Sequence, residues 1–285
     1  MKTAFALLAC TVLAFHALAQ DETGLAHPES LHADGHFLYA TNIGKAMEPT
    51  AKDGDGFISK LSLDGKMITP SITTEKLNAP KGTAIIKGVL YVADLDRIVG
   101  INLATGKKTA EISLASTHTA FANDLTVKDD HTLFASLTDV GKIVEVDLKT
   151  GKLTEIADLK GANGICYDKA GKRLYTCNFL FDNIQGGEIG VISWQQGKPL
   201  YEKIGDLQGG FDGLEMIDEH TLLVSDWGAL DHPAGFLEKI DLRSKTATKL
   251  DWPVIAGPAD FYLDVKNKRV YVPVLLESKV LVHTL

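Results

Sequence analysis

Residues 121–159 read FANDLTVKDDHTLFASLTDVGKIVEVDLKTGKLTEIADL, and this stretch contains one complete structural unit. Short β-branched and apolar runs alternate with Lys/Asp/Gly turn signals, and none of the runs is long enough or correctly spaced for an amphipathic helix. A second copy follows the same order over residues 81–112, KGTAIIKGVLYVADLDRIVGINLATGKKTAEI. Further copies start at Glu29, Asn163, Asp212 and Asp260. Aligned on the strand resembling LYVAD, the six copies place Glu29, Lys81, Asn123, Asn163, Asp212 and Asp260 in one column. Successive members are 52, 42, 40, 49 and 48 residues apart, the period of a four-stranded propeller blade. A β-sandwich would not explain why one chemical position recurs six times. The chain is therefore expected to be all-β, a six-bladed β-propeller with four-stranded antiparallel blades. The sixth copy runs out at Leu285 after three strands. Residues 21–28, which precede the first copy, are expected to supply the missing outer strand and close the last blade, since an open edge invites association.

The remainder of the composition agrees with one folded domain. Of 285 residues 45% are hydrophobic, too many for a disordered chain. Three cysteines are too few for a disulfide scaffold. With 37 acidic against 29 basic residues the net charge is −8, and no basic patch suited to nucleic acid stands out. Charged residues interrupt every apolar run after residue 20, so no membrane span is expected. Residues 1–19, MKTAFALLACTVLAFHALA, combine Lys2, an apolar run and the small-x-small motif of Ala17-Leu18-Ala19. They read as a signal peptide cleaved near Ala19, with residues 20–285 as the propeller and a periplasmic or secreted destination.

In a propeller the first strand of each blade lines the axis, so the column becomes a ring at one mouth of a central tunnel. It holds three carboxylates, two carboxamides and one ammonium. Crowded, desolvated carboxylates repel, and a divalent cation relieves that repulsion. Hard oxygen donors favour Ca2+, with Mg2+, Mn2+ and Zn2+ as alternatives. The competing reading is a hydrated polar tunnel whose Asn and Asp side chains cap backbone amides, Asn-Gly and Asp-Gly being common turn signals.

Glu29 in HPESLHADG, Asn123 in FANDLTV, Asn163 in GANGICYD and Asp212 in FDGLEMID together resemble the regucalcin–gluconolactonase family of six-bladed propellers, across residues 25–285. The resemblance implies one divalent metal on Glu29, Asn163 and Asp212, with Asn123 near metal and substrate, and an enzyme that opens lactones. Two departures stand out. Family lactonases carry Glu-Gly-Pro at the first ligand, where this chain has Glu29-Ser30-Leu31. Sugar-lactone hydrolases carry Arg two residues before the blade-three Asn, where this chain has Phe121. The loss of that sugar-binding donor points to a more apolar substrate.

The expected activity is hydrolysis of a lactone or related ester, with Asp212 and Asp260 as candidate proton acceptors. Asn123, Lys81, Phe121 and His118 are the candidate substrate contacts. The alternative is a non-catalytic propeller that binds a small ligand or a protein partner. Lys52–Ile58, KDGDGFI, mimics a calcium loop but offers Ser62 where a bidentate Glu is required, and reads as an exposed turn. Cys166 and Cys177 fall diagonally on neighbouring strands and read as two buried thiols.

Overall fold

A computed structural model describes residues 23–285, so the proposed signal peptide and its cleavage point lie outside the described residues. The described chain is a six-bladed β-propeller with almost no helix: five four-stranded antiparallel sheets and one three-stranded sheet, each built from consecutive strands. The inner strands are Pro28–Ala33, Pro80–Ile86, Ala122–Asp129, Ala162–Asp168, Phe211–Asp218 and Tyr262–Asp264. No helix among the described residues is long and apolar enough to cross a membrane.

Each blade is a strongly twisted sheet whose two faces pack on the blades either side, so the core is divided into wedges. Between blades two and three, for example, Ala93, Ile98 and Ile112 meet Leu133, Leu137 and Val144, all buried. Burial on both faces accounts for the LYVAD-like second strands, which carry almost uninterrupted apolar runs instead of an apolar–polar alternation.

In the first five blades the inner strand breaks register at the column position. Pairing skips from Pro28 to Ser30, from Pro80 to Thr83, from Ala162 to Ile165 and from Phe211 to Leu214. In blade three it skips between the partners of Ala122 and Leu125. The column residue therefore sits in the unpaired step of a bulge, a device that bends a strand and re-aims a side chain. The glycines after Lys81, Asn163 and Asp212 serve packing and not turns. A Cβ on Gly82 would stand 2.4 Å from the Asp124 Cα, and one on Gly164 would stand 2.2 Å from the Asp212 carbonyl oxygen. Neighbouring inner strands approach too closely there for any side chain.

Closure differs from the sequence expectation. The last sheet has three strands, Tyr262–Asp264, Arg269–Val274 and Lys279–Thr284, and residues 23–27 form no strand beside them. The ring closes at its inner edge, where the Asp260 amide donates to the Glu29 carbonyl at 3.0 Å and the Leu31 amide to the Asp260 carbonyl at 3.3 Å. Residues 23–27 act as a clasp. The Thr23 hydroxyl donates to the Ser278 carbonyl at 2.9 Å, the His27 amide donates to Ser278 Oγ at 3.1 Å, and Leu25 is buried in a cluster with Tyr271. Pairing with a fourth strand is thus replaced by a buried leucine and two hydrogen bonds.

Candidate functional site

All six column residues are buried. Bulges on adjoining inner strands bring together residues that are up to 231 positions apart in the chain. Burial, then Asp212 and Asp260, push the Glu29 carboxyl well above its usual range, against the opposing pull of Lys81. Burial pushes Asp212 up to about 7, opposed by the hydrogen bond from Trp227 and by the neighbouring Asn163 amide. Asp260 is likewise held well above normal by burial, although Ser30 Oγ donates to its Oδ2 at 2.5 Å. The ring is thus a set of carboxylates with strong proton affinity.

Four oxygens of the ring, Glu29 Oε2, Asn123 Oδ1, Asn163 Oδ1 and Asp212 Oδ1, are buried with no hydrogen-bond partner among the described residues. A buried acceptor left unpaired typically costs about 1–3 kcal/mol, so four in one ring call for a common partner. Their chemistry, two carboxylates and two carboxamides, suits a hard cation such as Ca2+. Among the described residues no three His, Cys, Asp or Glu side chains gather closely enough to hold a metal by themselves, so a cation here depends on the amide oxygens. The capping alternative is disfavoured, because these two Asn oxygens cap nothing.

Asp212 is the most constrained member. The indole Nε1 of Trp227 donates to its Oδ2 at 2.7 Å, and the Cys177 thiol donates to its backbone carbonyl at 3.2 Å. One carboxylate oxygen is thereby fixed and the other left free. Lys81 is only 1% exposed, and burial lowers its ammonium to about 8 despite Glu29. Its Nζ donates to the carbonyls of Pro49 at 2.7 Å and Ala79 at 2.9 Å, and lies 4.4 Å from the Phe121 ring centre. Phe121 begins an aromatic arc: Phe181 lies 6.1 Å from it, Phe179 lies 4.9 Å from Phe181, and Trp227 lies 5.6 Å from Phe179. The tip of the arc, Phe181, is 61% exposed, so an apolar surface leads from solvent to the residue that holds Asp212.

His118 does not join this assembly. It follows the short turn Ala115–Thr117 in left-handed backbone, φ 62°, and is exposed, with no hydrogen bond to the ring. The calcium-like loop at Asp53 is an exposed connection between two strands of blade one, and Cys166 and Cys177 are free thiols. Trp227 is the functional side chain that the repeat alignment passes over. It was within reach, because aligning the residues that follow the second strands gives Ile43, Leu95, Thr138, Phe179, Trp227 and Leu275, a collar above the ring in which two positions are aromatic.

Comparison with protein families and with curated proteins returns no match. Comparison of structures returns propellers. A virginiamycin B lyase from Staphylococcus aureus is similar at TM-score 0.60 with 16% identity, over 91% of this chain and 95% of that one. A streptogramin B lyase is similar at TM-score 0.58 with 17% identity, over 91% and 93%. A protein of unknown function from Bacteroides thetaiotaomicron is similar at TM-score 0.68 with 11% identity, over 91% and 70%. At such identities the likeness is one of fold: the chain is a six-bladed β-propeller whose structural neighbours include the virginiamycin B lyases.

Proposed function

We propose that this chain is an exported, divalent-metal-dependent hydrolase of lactones or related esters that prefers apolar substrates. The observation that carries the reading is the set of four unpartnered oxygens on Glu29, Asn123, Asn163 and Asp212. These residues would hold the cation, which when bound supplies Lewis acidity for polarising an ester carbonyl. Asp212 would take a proton from the attacking water and return it to the leaving oxygen as the ester C–O bond breaks, and Trp227 fixes its Oδ2. Asp260, tied to Ser30, is a second proton acceptor. Lys81 keeps one N–H free after its two backbone carbonyls and orients the developing anion together with Asn123. Phe121, extended by Phe181, receives an apolar substituent where a sugar-binding enzyme needs a donor. Two structural neighbours named as lyases support the view that this architecture hosts enzymes.

A panel of sugar, aliphatic and aryl lactones, assayed with and without chelator, tests the reading. Metal-dependent turnover, fastest for apolar lactones, is expected. Faster turnover of gluconolactone than of any apolar lactone overturns the substrate preference. No turnover of any substrate, with metal present, leaves a ligand- or protein-binding platform.

A further inference from the structure

A second ring lines the axis below the first. His32, Ala84, Thr126, Cys166, Glu215 and Tyr262 occupy one register position, each opposite an aromatic or leucine of its blade's second strand. All but Tyr262 border a cavity of about 290 Å³, which Asp124 and Asp260 also reach. Apart from Asp260 at its upper edge, this chamber contributes nothing to the chemistry proposed above.

Its polar groups are unevenly satisfied. Asp124 spends both oxygens on backbone amides, Leu125 at 2.6 Å and Ile165 at 2.8 Å. Glu215 has the Cys166 thiol, 3.5 Å from its Oε2, and the backbone amide of Met216, but no basic side chain. His32 makes no hydrogen bond there through either ring nitrogen. It lies 5.4 Å from the Tyr262 ring, and burial lowers it to about 4, so the imidazole is neutral. No Lys or Arg borders the cavity. Lys81, in the upper ring, donates to the carbonyls of Pro49 and Ala79 and is not among the chamber's lining residues. The chamber therefore holds hydrogen-bond acceptors and a buried carboxyl, Glu215, whose ionisation burial opposes and no cation assists.

We propose that this lower chamber binds a small organic cation bearing a primary ammonium group. An ammonium brings three donors and no acceptor, which complements the Glu215 carboxylate, the neutral His32 imidazole and the Thr126 hydroxyl. A metal ion fits less well, because among the described residues no three His, Cys, Asp or Glu side chains converge. The proposal shares only Asp260 with the hydrolase reading and does not depend on it.

The test is titration of the mature chain with n-butylammonium, followed by calorimetry and by amide chemical shifts. Saturable binding is expected, with the largest shifts at His32, Thr126, Cys166 and Glu215. Tetramethylammonium keeps the charge but has no N–H donor, and Glu215→Gln removes the carboxylate. Each change should weaken binding by about tenfold or more, the scale of a charge-assisted hydrogen bond. Equal binding of tetramethylammonium, shifts centred on the upper ring, absence of saturation, or displacement of butylammonium from the chamber by Ca2+ would each overturn the proposal. Should Glu215→Gln fail to fold, the shift map and the tetramethylammonium comparison on the parent protein still decide.

Discussion

The two mouths of the tunnel are built from the same six inner strands, yet they are finished differently. On the lower face the turns between strands are at most five residues long. On the upper face the connections at residues 43–56, 179–188 and 227–235 are much longer. Those loops carry Met47, Phe181 and Leu230, three of the exposed large hydrophobics. The upper ring stands in bulges, with unpartnered oxygens, a tryptophan donor and an aromatic approach. The lower ring stands in regular pairing, with a thiol, a neutral imidazole and a carboxylate. The contrast shows that chemistry on this scaffold follows loop length and bulge position, whereas the blades themselves are interchangeable supports.

The sharpest way to break the contrast is Asp212→Asn. If the upper mouth is the reaction centre, hydrolysis of the best substrate should fall about 10²–10⁴-fold, with circular dichroism unchanged and incomplete rescue by added metal. Parent-like turnover would remove Asp212 from the chemistry. The cation comes next. About one Ca2+ per chain should bind with oxygen ligands and raise the melting temperature by mass action. Glu29→Gln should abolish that rise, and a melting curve indifferent to both Ca2+ and chelator would restore the hydrated-tunnel reading.

Trp227→Phe keeps the ring and deletes the donor to Asp212 Oδ2. Because that hydrogen bond favours the ionised carboxylate, its loss should move the acidic limb of the activity profile upward by about one pH unit. A pH profile identical to the parent's would show that Trp227 only packs.

The smallest effect concerns Glu215, whose carboxyl burial pushes up to about 7. Its folded value lies above the unfolded one, so the stability it contributes is complete below the unfolded value and is lost as pH rises through about 7. Gln cannot titrate, so Glu215→Gln should gain on the parent between about pH 5 and about pH 8, by about 2–4 °C for each kcal/mol relieved. A pH-independent difference between the two proteins would mean that the lower carboxylate is as well hydrated as a surface one.

Much of this was legible beforehand. LYVAD-like strands and TGK turns repeat because each blade solves the same packing problem, so the blade count and the column from Glu29 to Asp260 could be read by alignment. His118 was placed at the upper face from its position just before blade three; the structure shows it exposed and without a hydrogen bond to the ring, because position in a loop does not fix where its side chain lies. The N-terminal strand was expected from strand counting, which detects an open edge but not that residues 23–27 fasten to the turn at Ser278 instead of pairing along it. The Asn-Gly and Asp-Gly pairs resemble turns because the same dipeptides serve two purposes, and only the neighbouring backbone, which a Cβ on Gly164 would meet at 2.2 Å and one on Gly213 at 2.9 Å, tells them apart.

The sequence by itself determined the repeat, the number of blades and the identity of the six ring residues, because strand alternation and turn chemistry act over a few residues. Tertiary structure decided how strongly those residues perturb one another and which of their atoms are satisfied. Glu29 and Asp212 are 183 positions apart, and their mutual repulsion exists only once the ring has closed and expelled water. The same closure leaves Asp212 Oδ1 bare while Trp227 holds Oδ2, a division that depends on distances between blades and that no local pattern encodes.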